Sequence, residues 1–242
     1  MSVDKKTVKQ KSEETETEKI EVKRKITIPG EKIVSGRDFL PGEGTIREGE
    51  DIVARRFGLA DISGRLVKII PLSGTYIPRT GNIVIGRVED VTFNGWIIDL
   101  KAPYSSFLSL SECSRYIKGD LTEYYNIGDI LVCKVFSIRN KSIDLTIKGR
   151  GLGKLERGQI IYINSNKVPR VIGREGSMIR IIKQETGCEI TVGQNGVVWI
   201  LGNKIEDELR AKEAISFIVS KSYIEGLTDK VQDFFKNKKE EK

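Results

Sequence analysis

The sequence predicts a multidomain chain of mixed β and α+β class. It consists of a small N-terminal all-β domain, a five-stranded Greek-key barrel and a C-terminal unit of order β-α-α-β-β-α. Three observations carry this prediction. Between residues 78 and 150, five short strand-like runs recur, with one long connection between the third and fourth. Between residues 151 and 224, apolar spacing changes from strand-like to helical and back. The 242 residues are 38% hydrophobic and 31% charged, enough for several thin cores but not for one large one.

Composition narrows the chemistry. Lys plus Arg number 41 and Asp plus Glu 34, a net charge of +7 that suits a polyanionic partner. No run approaches the roughly 18 apolar residues of a membrane span. The N-terminal stretch is charged and lacks the apolar core of a secretory signal. The expectation is a cytoplasmic protein with no membrane partner. Cys113, Cys133 and Cys188 are odd in number and widely spaced, which fits buried thiols and neither a disulfide framework nor a zinc site. The chain has no histidine, which removes Ser-His-Asp and Cys-His catalysis and His-ligated zinc. The carboxylates are dispersed. No catalytic residue, metal or cofactor is expected, and the chain reads as a non-enzyme.

Taken in order, residues 1–28 are Lys, Glu, Thr and Ser with few apolar residues, and read as a flexible charged tail. Residues 29–77 hold short apolar runs broken by glycine, such as Ile52-Val53-Ala54 and Leu66-Val67-Lys68-Ile69-Ile70. They read as a small β domain whose thin core suits docking onto a neighbour.

Residues 78–150 contain the strand runs Ile83–Val88, Gly95–Leu100, Ser106–Leu110, Asp129–Val135 and Ser142–Ile147. Five strands with a long third-to-fourth connection fit an OB-type barrel, which binds single strands through aromatic stacking and basic grooves. This segment resembles the S1 type of OB domain. The matching features are Gly86-Arg87-Val88 in the first strand, Gly95 before the second, Asp99-Leu100 at its end, Ser111-Glu112 after the third, and the Gly128-Asp129 turn. It departs from that family where aromatics and a histidine usually stand; Asn94, Ile97 and Ser109 occupy those positions. The resemblance implies RNA binding, with Phe93 and Trp96 as candidate stacking residues. Arg87, Lys101, Lys134, Arg139 and Lys141 are candidate phosphate contacts.

Residues 151–224 open on Gly151-Leu152-Gly153, a hinge-like linker, followed by the strand run Ile160–Ile163. Pro169 suits the first turn of a short helix. After Gly176, the residues Met178, Ile179 and Ile182 mark the buried face of a second helix that Gly187 ends. A hairpin follows over Cys188–Leu201, then a helix with Ala211, Ala214, Ile215 and Ile218 on one face. Between the first two helices lies Gly173-Arg174-Glu175-Gly176, flanked by Lys167, Arg170, Arg180 and Lys183. Such a loop lets a phosphate backbone approach closely, and helix N-termini offer it N–H donors. The segment resembles the KH domain at Val171-Ile172-Gly173, Gly176, Ile179, Ile182, Thr186-Gly187 and Ile190. The resemblance implies that Gly173 to Gly176 clamp a nucleic-acid backbone while Ile172 and Ile179 border a groove for bases. Replacing both glycines by Asp is expected to weaken RNA binding while the fold survives. Residues 225–242 read as a frayed C-terminal tail.

A small β domain, an S1-type barrel and one KH domain, in that order, resemble the cap subunits of the archaeal RNA exosome (ribosomal RNA-processing protein 4 type). Pro71-Leu72-Ser73-Gly74-Thr75-Tyr76-Ile77-Pro78 and Trp96–Leu100 followed by Pro103-Tyr104 carry that likeness, which covers about residues 30 to 225. It implies a non-catalytic subunit that captures single-stranded RNA. Its partner would be a hexameric ring of RNase PH-like exosome subunits, which degrade RNA by 3′-to-5′ phosphorolysis. The cap would be trimeric, alone or mixed with another cap subunit. The alternative is a stand-alone RNA-binding transcription or translation factor with S1-type and KH domains.

Overall fold

The computed structural model describes residues 25–113, 121–140, 142–222, 224 and 226–240. The chain divides into two compact units, Met1–Ile70 and Pro71–Lys242. The first holds strands β1 (Lys25–Thr27), β2 (Lys32–Ser35), β3 (Leu40–Pro41), β4 (Thr45–Glu48), β5 (Asp51–Ala54), β6 (Gly58–Ser63) and β7 (Leu66–Pro71). They form two small sheets, ordered β1-β6-β7-β3 and β2-β5-β4. Its core is thin, built from Ile52, Val53, Ala54, Ala60, Val67 and Ile69. Two boundaries shift from the sequence reading. Lys25–Thr27, expected within the tail, is a strand paired to β6, with Thr27 buried and its hydroxyl donating to the Gly58 carbonyl. Residues 1–24 of the expected tail lie outside the described residues. At the other end, Tyr76, expected in this domain, is buried in the barrel core of the second unit.

That barrel comprises β8 (Ile83–Thr92), β9 (Gly95–Asp99), β10 (Ser105–Ser109), the single-turn α1 (Leu110–Cys113), β11 (Ile130–Arg139) and β12 (Ser142–Thr146). Pairing runs β8–β9–β10–β12–β11 and back to β8, so the sheet closes. The β10–β12 pair is parallel, the others antiparallel, which is the expected five-stranded Greek key. Inward-facing Val84, Val88, Trp96, Ile98, Leu108, Leu131, Val135 and Leu145 fill it.

The C-terminal domain follows as β13 (Gly153–Leu155), β14 (Gln159–Tyr162), α2 (Val168–Ile172), α3 (Ser177–Thr186), β15 (Glu189–Val192), β16 (Val197–Leu201), α4 (Ile205–Ser220) and α5 (Leu227–Glu240). Its sheet has the order β14-β16-β15. Strand β16 is apolar at every position because both of its faces are covered. Val198 and Ile200 point to the helices, while Val197 and Trp199 pack on Ile85 and Val132 of the barrel.

Gly151-Leu152-Gly153, expected to be a hinge, is pinned. Strand β13 pairs with β11 from Ile130↔Leu155 to Val132↔Gly153, and Leu152 packs on the same interface. The expected C-terminal tail is corrected as well. Leu227, Val231 and Phe235 recur every fourth residue on α5 and are buried in the domain core, so the segment is helical and docked.

Candidate nucleic-acid interface

The loop between α2 and α3 is shaped by its glycines. Gly173 has φ 74° and ψ 174°, a region open essentially to glycine alone. A Cβ there would stand 2.7 Å from the Met178 nitrogen and 2.9 Å from the Ser177 Oγ. Gly173 is therefore needed for close packing of the loop on the start of α3, and the expectation that an Asp at this position leaves the fold intact is overturned. Gly176 (φ 76°) has open space around its missing Cβ, with Ile179 Cγ2 the nearest atom at 3.8 Å. Glu175 is left-handed at φ 52° and exposed.

The chemistry around this loop suits an anion. No side chain caps the N-terminus of α3, though the Ser177 N–H at its start is already held by the Arg174 carbonyl. Arg170, Arg174, Arg180 and Lys183 are exposed and carry no ion pair among the described residues. Ile172 and Ile179 are half-buried beside them, as a groove border requires. Lys167 is drawn elsewhere. It is half-buried, and its Nζ donates to the Val219 carbonyl at 3.0 Å, capping the last turn of α4. Its expected phosphate contact is corrected accordingly.

On the barrel the candidates separate. Trp96 is fully buried, its Nε1 donating to the Tyr125 carbonyl at 3.0 Å and its ring edge-on to Tyr125 at 5.2 Å between centroids. It is core and cannot stack a base, because it shares the inward face with Ile98. Phe93 stands at the β8–β9 turn and is 94% exposed. Two further aromatics escaped the sequence reading. Phe107 on β10 lies opposite Ile97 on the outer face with its ring over Gly95, and Phe136, beside an irregularity in the β11–β12 pairing, is 55% exposed. The period-two alternation of β10 could have found Phe107, and that of β11, which sets Val132, Lys134 and Phe136 on the outer face, could have found Phe136.

Of the basic candidates, Arg87 and Lys134 are exposed on β8 and β11. Arg139 Nε donates to Ser137 Oγ at 3.2 Å and lies 3.9 Å from Asp144. Lys101 pairs with Asp99 at 2.9 Å. Partial burial of Asp99 works against its charge, yet the hydrogen bonds from Lys101 hold the carboxyl below its usual range. Lys141 lies outside the described residues.

The barrel and loop belong to one unit. The Gln194 N–H donates to the Ile83 carbonyl at 2.8 Å, and the buried Asn195 side chain bonds the same strand. The α2–α3 loop and the barrel face are thus held in fixed relation by an interface of Ile85, Val132, Val197 and Trp199. Among the described residues no group of His, Cys, Asp and Glu could hold a metal ion, and no helix is long and apolar enough to cross a membrane.

Comparison with known proteins matches this architecture. Residues 158–217 fit the model of the KH domain, and residues 75–118 that of the RRP4 S1 domain. The exosome complex component Rrp4 of Methanothermus fervidus is 43% identical over 87% of the chain and 95% of its own length. That of Thermococcus kodakarensis is 42% identical over 87% of the chain and 84% of its own. A crystal structure described as an exosome complex RNA-binding protein superposes with a TM-score of 0.62 at 32% identity. It covers 69% of the chain and 98% of its own.

Proposed function

The chain belongs to the family of exosome complex component Rrp4, and from that premise we propose that it is a non-catalytic RNA-binding cap subunit. It would capture single-stranded RNA and direct it into the pore of a ring of RNase PH-like subunits, which carry out 3′-to-5′ phosphorolysis. The observation that carries the capture step is the pairing, on one compact unit, of two anion-facing surfaces. One is the α2–α3 loop with Arg170, Arg174, Arg180 and Lys183. The other is the outside of the barrel, where Phe93, Arg87 and Lys134 are exposed and Phe107 is half-buried. Each is weak alone, since Glu175 stands inside the loop and Asp144 lies opposite Phe107. Two weak contacts on one strand combine through effective concentration, so neither needs high affinity.

Docking is assigned to the first unit. Ile26, Ile28, Leu40, Leu66 and Ile70 are each 40% exposed or more, an unusual density of exposed apolar side chains for so small a sheet. Three copies would seat this surface on the hexameric ring, alone or mixed with another cap subunit. The test is co-purification followed by native mass measurement. Association with a phosphorolytic ring is expected, together with no shortening of labelled RNA by the isolated chain in phosphate and Mg²⁺. A chain that remains monomeric in the presence of the ring subunits, or degrades RNA by itself, would overturn the reading.

A further inference from the structure

We propose that Tyr162 and Lys101, brought together at the rim between the KH domain and the barrel, form a nucleotide subsite for single-stranded RNA. The Tyr162 ring stacks a base and the Lys101 ammonium takes the neighbouring phosphate. The inference rests on the RNA-binding reading above and places one nucleotide between the two surfaces named there.

The placement follows from strand alternation. Along β14, Ile161 points to the helices and joins their core, while Ile160 points the other way and packs at the barrel interface. Tyr162 shares the face of Ile160, but the barrel no longer covers that face at this point and the residue is 68% exposed. An aromatic ring is thus presented to solvent at the edge of a dry interface. Hydrogen bonds lead from it to Lys101. Tyr162 lies opposite Val197, the Ile163 N–H donates to the Gly196 carbonyl at 2.8 Å, and the adjacent Asn195 donates to the Leu100 carbonyl at 3.0 Å.

Lys101 is itself unusual. Its φ is 56°, a left-handed conformation that a lysine adopts at a cost and that clusters at functional positions. Asp99 holds it there twice, accepting the Lys101 N–H at 2.8 Å and pairing with Nζ at 2.9 Å. One of three ammonium donors is spent on Asp99, and the side chain remains 65% exposed. Arg87 sits directly opposite Asp99 on β8 and adds a second exposed cation. Asp99 and Glu89 offset part of this charge, so stacking on Tyr162 supplies most of the affinity. From Tyr162 the chain runs through residues 163–167 into α2, whose five residues span about 7.5 Å before the Gly173 loop.

The test uses the full chain and a short fluorescent oligoadenylate. Tyr162→Ala should weaken binding about fivefold or more, Tyr162→Phe should stay within about twofold of wild type, and both should keep the wild-type melting curve. Lys101→Gln should lower the salt slope by about one. RNA carrying 5-iodouridine should crosslink to Tyr162 on irradiation. If wild type binds RNA while Tyr162→Ala matches it and no crosslink maps to Tyr162, the subsite is overturned and the broader reading stands. If wild type binds no RNA, both fall.

Discussion

The side chain of Asn195 bonds the main chain of Ile85 as a neighbouring strand would. Its Oδ1 accepts the Ile85 N–H at 3.2 Å and its Nδ2 donates to the Ile85 carbonyl at 2.8 Å. The reason lies in the ladder. Strand β9 pairs with β8 only from Arg87↔Asp99 to Thr92↔Gly95, which leaves the edge beside Ile85 vacant. The β15–β16 turn fills it, and Nδ2 also donates to the Leu100 carbonyl at 3.0 Å where β9 departs. Asn195→Ala would leave three buried backbone groups unpaired and should cost about 2–4 kcal/mol. Asn195→Asp should be no better, since a carboxylate would face two carbonyls. Urea unfolding checks this, with the barrel and KH transitions separating in the variants.

The clamp glycines are not equivalent. Gly173→Ala should destabilise the KH domain because the methyl meets the Met178 backbone at 2.7 Å, whereas Gly176→Ala should cost about 1 kcal/mol from its positive φ alone. Glu175→Asn removes the acid and suits φ 52° better, so it should both raise the melting temperature slightly and tighten RNA binding. Arg170→Ala with Arg174→Ala should reduce the salt slope of binding by about two. Fluorescence titration across salt concentrations reads each effect.

The two aromatic candidates of the barrel should part company. Trp96→Ala empties a fully buried site and should cost about 3–5 kcal/mol. Phe93→Ala, at 94% exposure, should leave the melting temperature unchanged while weakening RNA binding. Calorimetry and RNA titration on the two variants separate structure from recognition.

Helix α5 should behave as part of the KH domain. Phe235→Ala removes a side chain only 1% exposed and should cost about 3–5 kcal/mol. Phe234, stacked on Phe217 at 5.0 Å, should tolerate Leu with a smaller loss. A truncation before Leu227 would expose the same core and should lower the melting temperature further.

The thiols carry a pH signature. Burial pushes Cys113 up to about 12, with the Glu112 charge adding to this and Lys148 opposing it, and burial also raises Cys133 and Cys188. In the unfolded chain these groups lose protons near 9, so above that pH the folded state binds more protons than the unfolded state. Stability should therefore fall as pH rises through 9 toward 12. At pH 8 a thiol reagent should label all three cysteines in denaturant and react slowly with the native protein.

Much of this was legible locally. Strand-like apolar runs located all five barrel strands, with period-two alternation clearest in the first and last, because a closed barrel buries the inner face of each. Gly187 ended α3 as expected, with φ 68° at the cap. The spacing of Met178 and Ile182 set the buried side of that helix, and the G-x-x-G loop was readable because only glycine fits Gly173's backbone. The face shared by Trp96, Ile98 and Leu100 could be read as well, but not whether it met core or solvent.

What the tertiary structure decided is which groups remain free. Lys167 reads as one more loop cation until α4 brings the Val219 carbonyl beside it. The apolar residues of α5 read as a tail until the domain core receives them. Asn195 reads as a turn residue until the vacant edge of β8 meets it 110 positions away. Lys101 reads as a barrel cation, but nothing in the sequence sets Tyr162 on the same rim. Alternation and turn chemistry are steric properties of neighbouring residues, so the chain carries them along its length. Exposure, pairing and availability for a ligand depend on what packs from elsewhere, and here they were set when the barrel and KH domain closed on each other.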